Sequence, residues 1–225
     1  MRTYQIVIAG GLVLAGLTGC DSKASQERQQ KLEAIVQTYS EDVSEVRTSK
    51  ENAGEFYDHW SRTELAGYTV ASILSGDNDQ IISDAKVKAG DIYDHWSKDE
   101  LASYVAAIVA ANGDLQKVRD AKVKAGEIYD HWSKNELANY TLAIVLADGD
   151  LQKVRDAKVK AGEIYDHWSK TELAGYTAAI VTADGNMEKV KTAKAIAGVT
   201  YDCWSKDELS MYTVASVIAL NNNSE

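Results

Sequence analysis

From Asp150 onward the apolar residues Leu151, Val154, Ala157, Ala161, Ile164 and Trp168 recur at steps of three and four, the spacing of one helical face. Asp150 suits the N-cap of that helix, which the pattern carries, with Tyr165, to near Trp168. Ser169-Lys170-Thr171-Glu172 then forms a capping box, in which serine and glutamate satisfy free backbone N–H groups reciprocally. A second helix follows, with Leu173, Tyr176, Ile180 and Ala183 on its apolar side, and Gly185 supplies the left-handed residue that ends it. The unit is a helical hairpin.

The same pattern runs along the chain at a fixed interval. Tyr57-Asp58-His59-Trp60 returns at Tyr93, Tyr129 and Tyr165, and finally as Tyr201-Asp202-Cys203-Trp204, each copy 36 residues after the last. The Ser-x-x-Glu box stands likewise at Ser61, Ser97, Ser133, Ser169 and Ser205. Gly113 and Gly149 match Gly185, and Asn221 takes that place in the last copy. A period of this length marks a solenoid, in which each unit buries its apolar face against the next. The expected fold is therefore all-α, an α/α solenoid of five hairpins over residues 42–77, 78–113, 114–149, 150–185 and 186–225. An N-terminal helix within 25–41 caps it, for eleven helices in all, stacked as a rod or arc.

Positions repeated in all copies show what the unit requires. Gly54, Gly90, Gly126, Gly162 and Gly198 fall inside the first-helix pattern and read as points where an adjacent helix comes close. The five tryptophans, with Tyr68, Tyr104 and Tyr140, read as core. Asp58, Asp94, Asp130, Asp166 and Asp202, with Glu127 and Glu163 near the same face, form a ladder of carboxylates that could recognise a basic partner. The competing reading is local: each aspartate precedes a base by four residues, from Arg62 to Lys206, and an ion pair across the turn would explain the repetition. His59, His95, His131 and His167 each follow an acid by four residues (Glu55, Asp91, Glu127, Glu163), which suggests acid–histidine pairs. Equivalent histidines on neighbouring helices start about 10 Å apart, too far to share a metal, so no metal or other cofactor is expected.

Charge and composition narrow the function. The net charge is −10, with no basic patch, which disfavours nucleic acid as a partner. Proline is absent. No phosphate loop, nucleophile elbow, zinc-protease motif or dinucleotide fingerprint occurs. Cys203 beside His167 would lack an orienting third group, so the chain reads as non-catalytic.

The first residues follow a different logic. Arg2 precedes an uncharged, mostly apolar run from Ile6 to Leu17, shorter than the roughly 20 residues a membrane span needs. Its end, Leu17-Thr18-Gly19-Cys20, resembles the lipobox of bacterial lipoproteins. That resemblance implies cleavage of residues 1–19, lipidation of Cys20, a short tether over 20–24 and attachment in the bacterial cell envelope. Asp21 resembles the signal that retains such proteins on the periplasmic face of the inner membrane. The hairpins resemble the tetratricopeptide and Sel1-like solenoids in unit length and helix pairing. The tetratricopeptide proline and the Sel1-like glycine pattern are missing. This resemblance implies a scaffold for an envelope protein or peptide. A binder of small ligands or metal ions through acid–histidine pairs, and a purely structural spacer, are the alternatives.

Overall fold

The computed structural model describes residues 22–224; Leu17 to Cys20 and Asp21 lie outside them. The described residues form eleven helices. Ser22–Thr38 (α1) precedes five hairpins, each pairing an outer with an inner helix. The outer helices are Ser40–Ala53 (α2), Asp79–Ala89 (α4), Leu115–Ala125 (α6), Leu151–Ala161 (α8) and Met187–Thr200 (α10). The inner helices are Arg62–Ser75 (α3), Lys98–Ala110 (α5), Lys134–Leu146 (α7), Lys170–Thr182 (α9) and Lys206–Asn222 (α11). None of the described helices is long and apolar enough to cross a membrane.

The array is not a rod or an open arc. Each inner helix packs on the next, and α11 packs on α3, so the five hairpins close into a ring. The last junction repeats the chemistry of the others. Thr63 Oγ1 lies 3.1 Å from Ser205 Oγ, as Ser133 Oγ lies 2.9 Å from Thr171 Oγ1. Lys50 donates to the Thr200 carbonyl at 2.8 Å, as Lys86 does to the Phe56 carbonyl at 2.7 Å. Helix α1 lies against α10 and α2, across this seam rather than at an exposed end.

The core follows from closure. Inner helices are buried almost all round, with Tyr68, Tyr104, Tyr140, Tyr176 and Tyr212 fully enclosed. A helix that is apolar all round is one covered on every side. On each inner helix one stripe faces the ring axis, marked by contacts between equivalent residues of adjacent hairpins. Ser103 Oγ donates to Asn139 Oδ1 at 2.7 Å, and Asn135 Nδ2 to Asp99 Oδ2 at 3.3 Å. Side chains at the same position on neighbouring helices meet this way only where the helices converge.

The outer helices end earlier than their apolar spacing predicts. Helix α8 stops at Ala161, and Gly162 follows with its N–H shared between the Lys158 and Val159 carbonyls, both at 3.1 Å. This last turn tightens, so a Cβ on Gly126 or Gly162 would sit 3.1 Å from the carbonyl oxygen three residues back. The glycine is therefore needed for its own turn, not for a neighbouring helix. In α10 the helix runs on to Thr200, and a Cβ on Gly198 would meet nothing within 4 Å. The opposite loops end as expected at Gly113, Gly149 and Gly185, all with positive φ. Asn221 differs, because α11 continues through it.

Candidate functional site

Because the outer helices stop early, Tyr-Asp-His-Trp is a loop. Five such loops stand on one face of the ring, between the C-terminal end of each outer helix and the N-terminal end of its inner helix. The capping serine does what its motif predicts: Ser133 Oγ accepts from Glu136 N at 3.0 Å. The glutamate reaches further back than a capping box requires. Glu136 Oε1 accepts from Asp130 N at 2.6 Å and Oε2 from Trp132 N at 3.0 Å. Glu64, Glu100, Glu172 and Glu208 make the same two bonds, and all five side chains are fully buried. Burial raises the Glu208 carboxyl above its usual range, offset in part by its bonds from Asp202 and Trp204. A buried carboxylate gripping two N–H groups fixes the residue between them.

That residue is the histidine. His59, His95, His131 and His167 have φ between 57° and 61°, a left-handed conformation that histidine tolerates better than most residues. Each ring packs on the tyrosine two residues earlier, with centroids 4.1–4.4 Å apart. Cys203 keeps the conformation, at φ 60°, without a ring to pack. The expected acid–histidine pairs do not form among the described residues; Glu127 instead meets Arg155 at 3.4 Å. Glu163 is exposed and acts on Lys191 through its charge. No group of three or more metal-ligating side chains gathers among the described residues.

The aspartate ladder joins hairpins. Asp94 takes Lys122 at 2.9 Å from the next outer helix and Lys134 at 2.9 Å from the next inner helix. Asp58 takes Lys86 and Lys98, Asp130 takes Lys158 and Lys170, and Asp166 takes Lys194 and Lys206. Asp202 closes the circle with Lys50 at 2.7 Å and Arg62 at 3.4 Å. The partner is therefore never the base four residues on but one supplied by the following hairpin, since the loop turns the aspartate outward across the junction. Partial burial opposes ionisation of Asp94, yet Lys122 and Lys134 outweigh it and hold the carboxyl below its usual range. The Lys122 ammonium also lies 5.1 Å from the centroid of the buried Tyr104 ring, a cation–π contact repeated at all five junctions.

The tryptophans are not core. Trp60, Trp96, Trp132 and Trp168 are each 64% exposed and Trp204 is 67% exposed. Helical spacing counted them onto the buried stripe, but the helix ends seven residues before Trp168. The buried aromatic of each unit is the tyrosine of the inner helix. The repeated glycine six residues before each tryptophan is the sequence signal for this, since in four of the five units the regular helix stops just before it. The glutamate clamp was half legible, as the capping box revealed the residue but not its reach.

The result is a crown: five loops of tyrosine, aspartate, histidine (cysteine in the last) and tryptophan, each clamped from below by a buried carboxylate. Shallow grooves separate them. One, of about 500 Å³, is lined by Asp130, Arg155, Val159, Tyr165, His167 and Lys170. The opposite face is different in kind. Its loops carry Asp77, Asp148 and Asp184, the last two with side chains 91% and 89% exposed. No protein family, curated protein or solved structure matches this chain.

Proposed function

We propose that this protein is a non-catalytic, membrane-tethered binding scaffold of the bacterial cell envelope, and that the crown is its interaction surface. One observation carries the reading: five large aromatic side chains stand exposed on one face, each held there by a fully buried glutamate. Large apolar side chains repeated on one exposed face mark an interaction site. Tryptophan is the residue most often found carrying binding energy at interfaces. The tether reading rests on Ile6 to Leu17 and the Leu-Thr-Gly-Cys sequence ending at Cys20.

The aspartates, whose charges are met by lysines and arginine within the ring, serve the crown by setting the junctions between its loops. Two variants test the proposal in cells. Cys20→Ser should abolish incorporation of labelled palmitate into the protein. The combined change of Trp96, Trp132 and Trp168 to alanine should leave the fold intact and remove whatever cross-links to the crown. A triple variant that captures the same partners as the original chain would sink the assignment of the crown.

A further inference from the structure

Closure of the ring decides what can meet the crown. A solenoid with pitch lifts each repeat above the last, whereas a ring whose last junction repeats the first has none. The five equivalent loops therefore lie in one plane. A linear peptide or glycan laid on such a circle crosses two or three loops, and an asymmetric protein matches one or two. Only a planar partner, or one with the same five-fold symmetry, engages all of them.

We infer that the planar partner is a phospholipid bilayer, with the five indoles seated together at the level of the headgroups. This deepens the reading of the crown as the interaction surface and rests on it. Indole has an apolar body and one N–H donor, and tryptophan concentrates at membrane–water boundaries for that reason. A bilayer is also indifferent to the one irregular loop, where Cys203 replaces histidine but Trp204 remains as exposed as the others. In the crown each aspartate is met by cations of the next hairpin, so the ladder itself sets no unpaired acid against lipid phosphates. Five weak insertions on one rigid body act together, so attachment is steep in the number of indoles. It depends little on salt, because the indoles and not a net charge supply it.

The chain suits a direct test, because its five tryptophans are the five crown residues and their fluorescence reports nothing else. The full chain carrying Cys20→Ser, which has no acyl group, is mixed with vesicles of phosphatidylethanolamine and phosphatidylglycerol. Expected are a blue shift in emission and stronger quenching by bromines placed near the headgroup than by bromines deep in the acyl chains. Changing Trp96, Trp132 and Trp168 to alanine should lower the vesicle-bound fraction about tenfold or more, both forms being compared again without residues 1–19, whose apolar run would hold either on a vesicle. Unchanged emission, or a triple variant that sediments with vesicles like its parent, overturns the bilayer proposal. If in that case capture of a soluble protein or a glycan still depends on the tryptophans, the crown remains the interaction surface with a different partner. A tryptophan-dependent dimer without any vesicle shift overturns the proposal in favour of a second copy, crown to crown. If neither vesicles nor partners respond to the tryptophans, both readings fall.

Discussion

Residues 115–150 and 151–186 are identical except at positions 135/171, 139/175, 142/178, 146/182 and 150/186. The first four of these pairs, spaced by four, three and four residues, lie on the stripe of the inner helices that faces the axis. The crown loops and outer helices of the two hairpins do not differ at all. Two regions built from one repeat thus obey opposite rules. Around the rim each loop meets only its neighbours, so one solution serves five times. At the axis five side chains share one space, and five identical large residues would collide while five small ones would leave a void. The first axial layer mixes Thr63, Asp99, Asn135, Thr171 and Asp207, and the next mixes Gly67, Ser103, Asn139, Gly175 and Met211. Glycine appears where the approach is tightest: a Cβ on Gly67 would lie 2.8 Å from Ala102 Cβ.

The comparison can be broken most severely by removing a unit. Deleting residues 115–150 would be mild in an open solenoid, where the remaining repeats simply restack. In a ring each hairpin turns the chain by a fifth of a circle, and four cannot close with the same junctions. The expected result is loss of the compact monomer, seen as oligomers or a broadened unfolding transition by sedimentation and calorimetry. A well-folded four-hairpin monomer would show that closure is incidental.

Next in size is the clamp at the rim. Glu136→Ala leaves the Asp130 and Trp132 N–H groups without their buried acceptor, at a cost of about 3 kcal/mol in chemical denaturation. The same change at Glu100 or Glu172 should cost a similar amount, because the rim repeats itself. At the axis, Gly67→Val should cost about 2 kcal/mol through overpacking against Ala102. Axial substitutions should differ from hairpin to hairpin, since no two hairpins present the same neighbours there.

A smaller effect carries a sign. Burial in the axial layer raises the Asp207 carboxyl from 3.8 to about 6, against the stabilising bond from Ser169. A carboxyl with a raised native pKa binds its proton more tightly folded than unfolded. Its contribution is therefore fully present below pH 3.8 and is lost as the pH rises to about 6. Asp207→Asn, which imitates Asn135 in the same layer, should stabilise the ring at pH 7 by on the order of 1 kcal/mol. The gain should fade below about pH 4, the ordinary range of an unperturbed aspartate. Melting temperatures of both forms across this range would show it; a gain that does not vary with pH would place the effect elsewhere. The smallest expected change is Trp132→Ala, within about 0.5 kcal/mol of the original stability. A larger loss would return the tryptophans to the fold.

Much of the local structure is legible in the chain. Serine boxes, the Asp150 cap, the closing glycines and the three- and four-residue spacing place the inner helices and the starts of the outer ones, because these signals act within a turn or two of helix. What was misread lies where contact partners are distant in sequence. Four of the aspartates pair with bases about 28 and 40 residues on, such as Lys122 and Lys134 for Asp94, and Asp202 pairs back to Lys50 and Arg62; no local spacing reveals that. The tryptophans looked buried because aromatic spacing was continued past a helix end set by a tightened turn.

By itself, then, the sequence determined the hairpin, its caps and its five-fold repetition, since these rest on backbone hydrogen bonding and side-chain period within one unit. Whether the hairpins form a rod or a ring depends on the small rotation between neighbours, which accumulates over five junctions and is settled by packing between hairpins. Only the tertiary structure decided that α11 meets α3, that the carboxylates bind across junctions, and that five tryptophans stand exposed. The axial stripe records that decision in its irregularity: residues that differ only there differ because they must share one centre.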